Sequence, residues 1–188
     1  MWFFTADEHY EHSNILIFCN RPFSNVVEMN EELIKRHNEV VGPKDITVHA
    51  GDFCLNGTCQ GKAAQEIIAR LNGKHIFVAG THDSWIQKTI NDKMWLWQQK
   101  IEGHHVTVSH FAMRVWPYSH YDSWHLYGHS HGRLSGEGKS MDVGVDTNNF
   151  YPYSWTKIKG IMVTKPFNFN SIEKHQIELE QKNARKEV

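Results

Sequence analysis

An alternation of short apolar segments with segments of helical periodicity constrains the fold of this chain more than any other feature. Apolar segments typical of buried strands occur at 1–6, 45–50 and 74–79. Between them, 24–41 has apolar residues at helical spacing after possible N-caps, and 62–71 is a shorter helical segment that an Asn-Gly pair ends. Because parallel neighbouring strands need such crossover connections, this order predicts a sheet with at least partly parallel pairing.

The second half of the chain has a different pattern, in which strand-like segments follow one another with little helix between them. These segments are 94–98, 104–109, 123–127, 141–145 and 157–164. Strands in two groups with helices on the outside predict an α/β sandwich of mixed sheets. The 188 residues fit one domain, 1–188, with 171–188 as a possible peripheral tail.

Composition and charge limit the function classes. The formal net charge is −1, from 20 basic and 21 acidic side chains, which favours a small substrate over long nucleic acid as the partner. No apolar segment approaches membrane-spanning length, and the N-terminus lacks the cationic start of a secretory signal. We therefore expect a cytoplasmic protein with no membrane partner, while the sequence is silent on oligomeric state.

The three cysteines, Cys19, Cys54 and Cys59, form no recognisable disulfide framework. An odd number of cysteines without such a framework is typical of a reducing compartment. Small buried thiols are the favoured interpretation, and soft metal ligation by Cys54 and Cys59 is the alternative.

Aspartate and histidine motifs follow several of the predicted strands. In chain order they are Asp7-Glu8-His9, Gly51-Asp52, Gly80-Thr81-His82-Asp83, Ser109-His110 and Gly128-His129-Ser130-His131. Loops at the strand ends of an open α/β sheet build its functional site. The i, i+2 spacing in the first and last motifs places two side chains on the same side of an extended chain. Asp-x-His and Gly-Asp alone are weak signals, and Gly-x-His-Asp and Gly-His-x-His are rarer. The ordered set is specific and predicts a metal site.

This ordered set resembles the pattern of the calcineurin-like metallophosphoesterases, which reads Asp-x-His, Gly-Asp, Gly-Asn-His-Asp/Glu, His and Gly-His-x-His. The resemblance extends from residue 1 to about residue 152. It is strongest to small bacterial and phage members, which share the segments His9-Tyr10-Glu11-His12 and Asn20-Arg21-Pro22-Phe23. It implies a calcineurin-like sandwich of two mixed β-sheets flanked by helices. It also implies hydrolysis of a phosphate monoester or diester, on a small or nucleotide-like substrate, by a water that two metal ions activate.

The resemblance assigns the motif residues to two metal sites. The first ion would be held by Asp7, His9 and His131, the second by His110, His129 and Thr81, and both by the bridging carboxylate of Asp52. His82 would be the general acid or a phosphate contact, and Asp83 would orient it. Mixed nitrogen and oxygen ligation suits Mn, Fe, Zn, Ni or Co better than Mg or Ca alone, and we expect Mn.

Position 81 departs from the family pattern. The family has Asn there, whose carboxamide oxygen reaches the second metal, whereas this chain has Thr81. The Thr hydroxyl is shorter and is a poor neutral ligand. The substitution therefore predicts weaker occupancy of the second metal site, with Asp52, His110 and His129 still in place.

His12, Arg21 and Arg114 are the candidate substrate-binding residues. A guanidinium matches phosphate oxygens in a bidentate manner, but an ion pair within the protein is an equally open interpretation for either arginine. His12 is a candidate for contacting substrate or supporting a metal ligand, and a structural hydrogen bond is the alternative. Asp142 and Asp146 fit a role in fixing turns or a neighbouring histidine better than direct metal ligation.

Two further functional hypotheses stay open. A nuclease or a nucleic-acid end-processing enzyme could use the same centre, and it would need a basic groove beside the site. A weakened or non-catalytic binding module is the other hypothesis, because Thr81 stands where the family has Asn.

Overall fold

Two mixed four-stranded sheets form the middle of the molecule, in a computed structural model that describes residues 1–55, 61–86, 93–173 and 177. The strands are β1 (Trp2–Thr5), β2 (Ile46–His49), β3 (Lys74–Phe77), β4 (Leu96–Ile101), β5 (His104–Ser109), β6 (Trp124–Tyr127), β7 (Ser140–Asp142) and β8 (Tyr153–Ser154). The first sheet has the order β3-β2-β1-β8, and the second has the order β4-β5-β6-β7. The predicted α/β sandwich of mixed sheets is confirmed.

Strand direction in each sheet follows from the connections. In the first sheet β1, β2 and β3 are parallel, in register from Trp2 opposite Ile46, and β8 is antiparallel to β1. In the second sheet β4 and β5 form an antiparallel pair, while β5, β6 and β7 are parallel. The carboxyl ends of parallel strands meet at one edge of each sheet, so the loops after β1, β2, β3, β5 and β6 are placed to build a common site.

Helices cover the outer faces of this arrangement. They are α1 (Ile15–Phe18), α2 (Val26–Val40), α3 (Lys62–Ile68) and α4 (Trp155–Thr164). Helix α2 begins after Asn25, whose side chain accepts a 3.0 Å hydrogen bond from the backbone N–H of Glu28, as an N-cap should. Its buried face includes Leu33 and Ile34, whereas Val27 is exposed.

Two apolar cores hold the layers together. One joins the two sheets and α4, through residues such as Phe4, Leu126 and Ile158. The other lies between the first sheet and helices α2 and α3, where Leu33 and Phe77 are buried. Within the described residues, no helix is both long enough and apolar enough to cross a membrane.

The prediction of a strand at 157–164 is wrong, because this segment forms α4. The Ser154 hydroxyl accepts a 3.2 Å hydrogen bond from the backbone N–H of Lys157, which caps the helix at its N-terminus. Trp155, Ile158 and Met162 then lie buried at helical spacing. A short apolar segment does not by itself distinguish a strand from a buried helix, which is why the sequence pattern misled.

We predict that Ile158→Ala destabilises the protein by about 2–5 kcal/mol, since truncating a buried aliphatic side chain leaves a cavity. Ile158 is 0% exposed. The matched control is Val163→Ala on the same helix, because Val163 is 70% exposed and should cost little. Urea unfolding measures the free energy of unfolding of both variants. Equal losses of stability would contradict the orientation of α4.

Candidate metal centre

Ligand atoms from separate loops converge at the carboxyl edge of the strands. Among the described residues, four groups of three side chains have ligand atoms that lie within 4.8 Å of one another. The groups are Asp7 with His9 and His131, His9 with Asp52 and His82, Asp52 with His110 and His129, and Cys19 with His131 and Asp146. The first and third groups correspond to the two ligand sets that the family pattern implies. The first group lacks the shared carboxylate of Asp52, and the third lacks Thr81.

Asp52 is the carboxylate that links the two halves of the centre. Its Oδ2 atom lies 3.3 Å from His110 Nε2 and 3.7 Å from His9 Nε2. Its Oδ1 atom accepts a 2.8 Å hydrogen bond from the backbone N–H of His82. Although burial by itself raises the pKa of Asp52, the hydrogen bond and charge of His110 outweigh burial and hold the pKa below its usual range. The carboxylate is therefore ionised and faces both ligand groups.

The hydrogen bonds of His110 direct its second ring nitrogen at the centre. Nδ1 lies 3.0 Å from the carbonyl oxygen of Ala50, to which it donates. Nε2 therefore faces His129 Nδ1 at 3.2 Å and Asp52 Oδ2 at 3.3 Å. Two nitrogens and a carboxylate this close together need a proton or a cation between them.

His131 is oriented by a carboxylate that is in turn held by an arginine. His131 Nδ1 lies 2.7 Å from Asp146 Oδ2, and Arg21 donates to both Asp146 oxygens at 2.8 Å. Burial lowers the pKa of His131, but the bond to Asp146 outweighs it and raises the pKa. A carboxylate on one imidazole nitrogen leaves the other free for a metal, as in many metal sites. Asp146 therefore has the histidine-fixing role that the sequence favoured.

The guanidinium of Arg21 donates hydrogen bonds to other groups of the protein. The side chain is buried, and beyond Asp146 it donates to the backbone carbonyls of Asp7 and Glu8. The structure thus contains the buried ion pair that was one of the two interpretations of Arg21. Arg21 instead connects the loop after β1 to Asp146.

His12 forms a hydrogen bond with His9. The Nδ1 atoms of the two rings lie 3.1 Å apart, and both rings are buried. Burial lowers the pKa of His9 and of His12, so both are neutral near pH 7. With Nδ1 engaged, His9 presents Nε2 to the centre, and no described group hydrogen-bonds this buried atom.

Asp7 gives the clearest sign that the residues fit a cation. Its Oδ1 atom accepts a 3.0 Å hydrogen bond from the backbone N–H of His129. Its Oδ2 atom is buried and has no hydrogen-bond partner among the described residues. Burial raises the pKa of Asp7 to about 7. Because an unpaired buried carboxylate is unfavourable, a divalent cation between Asp7, His9 and His131 would remove the cost.

The backbone is also strained at these ligands. Five of the seven predicted ligands have left-handed backbone conformations, with φ of 58° at Asp7, 53° at His9, 55° at Asp52, 68° at His129 and 48° at His131. A non-glycine residue in this region costs of order 1–3 kcal/mol, and such residues concentrate at functional sites. The strain turns each side chain toward the shared space.

Gly128 lets two of the loops approach each other. A Cβ atom at Gly128 would lie 2.6 Å from the Ala6 Cβ and 3.0 Å from Asp7 Oδ2. Real Cβ atoms essentially never approach another atom so closely. The loop after β6 therefore packs against the loop after β1 because position 128 has no side chain.

Asp83 holds the loop that carries Asp52. Its buried carboxylate accepts hydrogen bonds from the backbone N–H groups of Asp52 at 2.7 Å, Phe53 at 2.9 Å and Gly80 at 2.8 Å, and from the Trp85 indole at 2.9 Å. The family pattern predicts that Asp83 orients His82. The described bonds instead connect the loops after β2 and β3.

The other predicted residues differ in their distance from the centre. His82 is partly exposed, with its Nε2 atom 4.0 Å from Asp52 Oδ2. Thr81 Oγ1 lies 3.5 Å from His110 Nε2, which places its hydroxyl beside the second group. Arg114 is exposed and its guanidinium lies 4.7 Å from the centre of the Phe169 ring. Arg114 and Phe169 line a separate cavity of about 220 Å³.

Cys19 belongs to one of the four groups, whereas the alternative of soft metal ligation concerned Cys54 and Cys59. Cys54 is buried, and Cys59 lies outside the described residues. No sequence motif marked Cys19, because its approach to His131 and Asp146 depends on the loop between α1 and α2.

Comparisons with known proteins agree with the fold. The chain is 35% identical over 158 residues to an uncharacterized protein of Methanocaldococcus jannaschii, across 79% of this chain and 84% of the relative. A solved protein of unknown function from Aquifex aeolicus has a TM-score of 0.68 and 19% identity, over 86% of this chain and 98% of that chain. This likeness shows a shared fold.

A predicted phosphoesterase from Streptococcus pneumoniae is a more remote structural neighbour. Its TM-score is 0.38 at 15% identity, over 76% of this chain and 70% of that chain, which is too distant to support an argument about function. No protein-family model matches the chain.

We predict that Mn²⁺ raises the melting temperature more at about pH 8 than at about pH 5.5, because metal binding replaces protons on its ligands. The raised pKa of Asp7, about 7, means that the folded state holds this proton more tightly than the unfolded state. The stabilising contribution of protonated Asp7 is therefore present at low pH and is lost as the pH rises through 7. A cation can then take the place of the proton.

Thermal unfolding with and without Mn²⁺ at the two pH values measures this effect. Asp7→Asn is the matched control, because it keeps the shape of the side chain and removes the titration. We expect a small metal-induced shift at both pH values for this variant. A metal-induced shift in the unmodified protein that is equal at both pH values, or larger at the lower one, would contradict the assignment.

Proposed function

This chain belongs to one family with the Methanocaldococcus protein. From that premise and from the ordered Asp and His motifs, we propose that it is a calcineurin-like metallophosphoesterase, a metal-dependent hydrolase of phosphate esters. The observation that carries the proposal is the position of Asp52 between two ligand groups. Two cations that share one carboxylate are the arrangement used to hydrolyse phosphate esters by in-line displacement. Structural metal sites usually hold one ion in a closed set of four ligands, and this centre is built differently.

Each side chain of the proposed centre has a role. The first cation would be held by Asp7, His9 and His131, the second by His110, His129 and Thr81, and both by Asp52. When bound, the pair of cations would supply an activated water and charge stabilisation for the phosphoryl oxygens. The ligand chemistry suits Mn²⁺ or a similar transition-metal ion.

His82 is the proposed general acid. Its imidazole lies beside Asp52 but is partly open to solvent, where an incoming ester would meet it. The ring of His12 lies 5.4 Å from the ring of His82, measured between centroids. We propose that His82 donates a proton to the departing oxygen, while His12 keeps His9 in place and contacts substrate from the same side.

His82→Ala should lower turnover roughly 10²–10⁴-fold, the range expected for loss of a general acid. The variant should still bind both metals, because His82 is proposed not to be a ligand. Release of phenol from phenyl phosphate and diphenyl phosphate with Mn²⁺, before and after chelation, measures the first quantity, because the more basic phenolate oxygen benefits from the donated proton. Elemental analysis of the purified variant measures the second.

His120→Ala is the matched control for this variant, because His120 is an exposed histidine in the 3-10 turn Ser119–Tyr121. It should leave both rate and metal content unchanged. Loss of metal from the His82 variant would make His82 a ligand, which its grouping with His9 and Asp52 allows geometrically. No hydrolysis of either ester with any divalent metal would reject the enzymatic function.

Thr81→Asn should raise activity or the content of the second metal, since a carboxamide oxygen reaches farther than the hydroxyl. The Thr81 hydroxyl already lies beside His110, so the longer side chain has a route to the second site. Thr81→Ser is the control, because it keeps the hydroxyl and should behave like the unmodified protein. If Thr81→Asn changes neither activity nor metal content, the prediction of a weakened second metal site is wrong.

A further inference from the structure

Two exposed aromatic rings flank the proposed metal centre. Phe18 is 61% exposed and Phe111 is 48% exposed. Each ring contacts a histidine of the site, so neither is a remote surface residue. Exposed phenylalanines contribute little to a core, and these two border a polar centre.

Phe111 lies against the second ligand group. Its ring centroid is 4.9 Å from that of His110 and 4.8 Å from that of His129, with interplanar angles of 70° and 65°. Packing on two metal-ligand histidines fixes the ring in position. The remaining exposed half of the ring borders the space beside the second site.

Phe18 lies on the other side, next to the first ligand group. Its ring centroid is 6.3 Å from that of His12, which in turn supports His9. The carbonyl oxygen of Phe18 accepts a 2.7 Å hydrogen bond from Arg133, in the loop that follows His131. This bond holds the end of α1 against the first site, so the exposed Phe18 ring is anchored through its backbone.

We propose that Phe18 and Phe111 are stacking subsites for the two ester groups of a phosphodiester, and that the substrate class is a short diester that carries a nucleoside. This inference rests on the proposed phosphoesterase function. Aromatic side chains beside a phosphate site stack well on flat bases, largely independent of base identity. A monoester has one ester group and would use one ring, whereas rings beside both ligand groups match a diester.

The two rings have different roles in the proposal. The ring of His12 lies near both Phe18 and His82, at 6.3 Å and 5.4 Å between centroids. Because His82 is the proposed acid, the departing group lies on the Phe18 side. The ester group that stays on the phosphate therefore lies on the Phe111 side.

Charge favours a short substrate over a long strand. Binding to long nucleic acid depends on many cationic contacts with phosphates. This chain has a formal net charge of −1. Recognition through two rings and one phosphate does not need an extended basic groove, so a dinucleotide or a nucleoside ester fits better.

The test compares two diesters with the same leaving group, thymidine 5′-(p-nitrophenyl phosphate) and methyl p-nitrophenyl phosphate, on the Mn²⁺-loaded protein. We expect kcat/KM for the thymidine ester to exceed that for the methyl ester about tenfold or more, within the range that base stacking supplies. Phe111→Ala should reduce this ratio about tenfold, and Phe111→Trp should preserve it. Phe18→Ala should lower both rates alike, because both esters carry the p-nitrophenyl group.

Trp95→Ala is the control for removal of an exposed aromatic side chain, because Trp95 is 55% exposed and lies just before β4. The ratio should not change in this variant. An unchanged ratio in Phe111→Ala would overturn the inference while leaving the proposed hydrolysis intact. If Phe111→Ala fails to fold by circular dichroism, Phe111→Leu removes the planar face and keeps an apolar side chain.

Binding gives a readout that does not depend on turnover. Calorimetric titration of the metal-loaded protein with thymidine 5′-monophosphate and with inorganic phosphate measures the contribution of the nucleoside. We expect Phe111→Ala to weaken nucleotide binding about tenfold relative to phosphate binding. If no ester is hydrolysed, the proposed function fails, yet this titration still decides whether Phe111 is a nucleoside subsite. Equal loss of nucleotide and phosphate affinity would reject the subsite.

Discussion

The hydrogen bonds of the buried Asp83 carboxylate are the interaction on which the rest of the site depends. They tie the backbone of the loop after β2 to the loop after β3, at Asp52 and Gly80. An ionised buried carboxylate is tolerated only when several donors surround it. Burial nevertheless raises the pKa of Asp83. By fixing the loop, Asp83 aims the Asp52 carboxylate at both ligand groups, and Asp52 in turn connects the two halves.

The same site concentrates features that reduce stability. Its ligands have strained backbones, and buried polar atoms of Asp7 and His9 have no hydrogen-bond partner among the described residues. The apolar cores on both faces of the first sheet provide the stability that holds such a site in place. Cation binding would offset much of the cost, so folding and metal affinity would be coupled. Supporting contacts such as Asp146 with Arg21 then fix the direction in which the ligands point.

Much of the fold could be predicted from sequence, and so could the position of the Asp and His motifs at strand ends, because both depend on local patterns. Parallel strands with crossover helices bring their carboxyl ends together, and Asp7 and Asp52 directly follow such strands. The partners of Arg21 and Asp83 could not be predicted, because these contacts join residues far apart in sequence. Helix α4 was missed because the spacing of Ile158 and Met162 fits a strand as well as a helix. The Ser154 cap, which the structure shows, identifies the segment as a helix.

A crystal structure of the protein grown with Mn²⁺, with anomalous diffraction recorded at the manganese edge, tests the central claim most directly. Two anomalous peaks are expected, one near Asp7, His9 and His131 and the other near His110 and His129. Both should lie within coordination distance of the Asp52 carboxylate, with the peak beside Thr81 the weaker one. Manganese bound elsewhere, or a single ion that does not contact Asp52, would contradict a centre of two cations joined by this carboxylate.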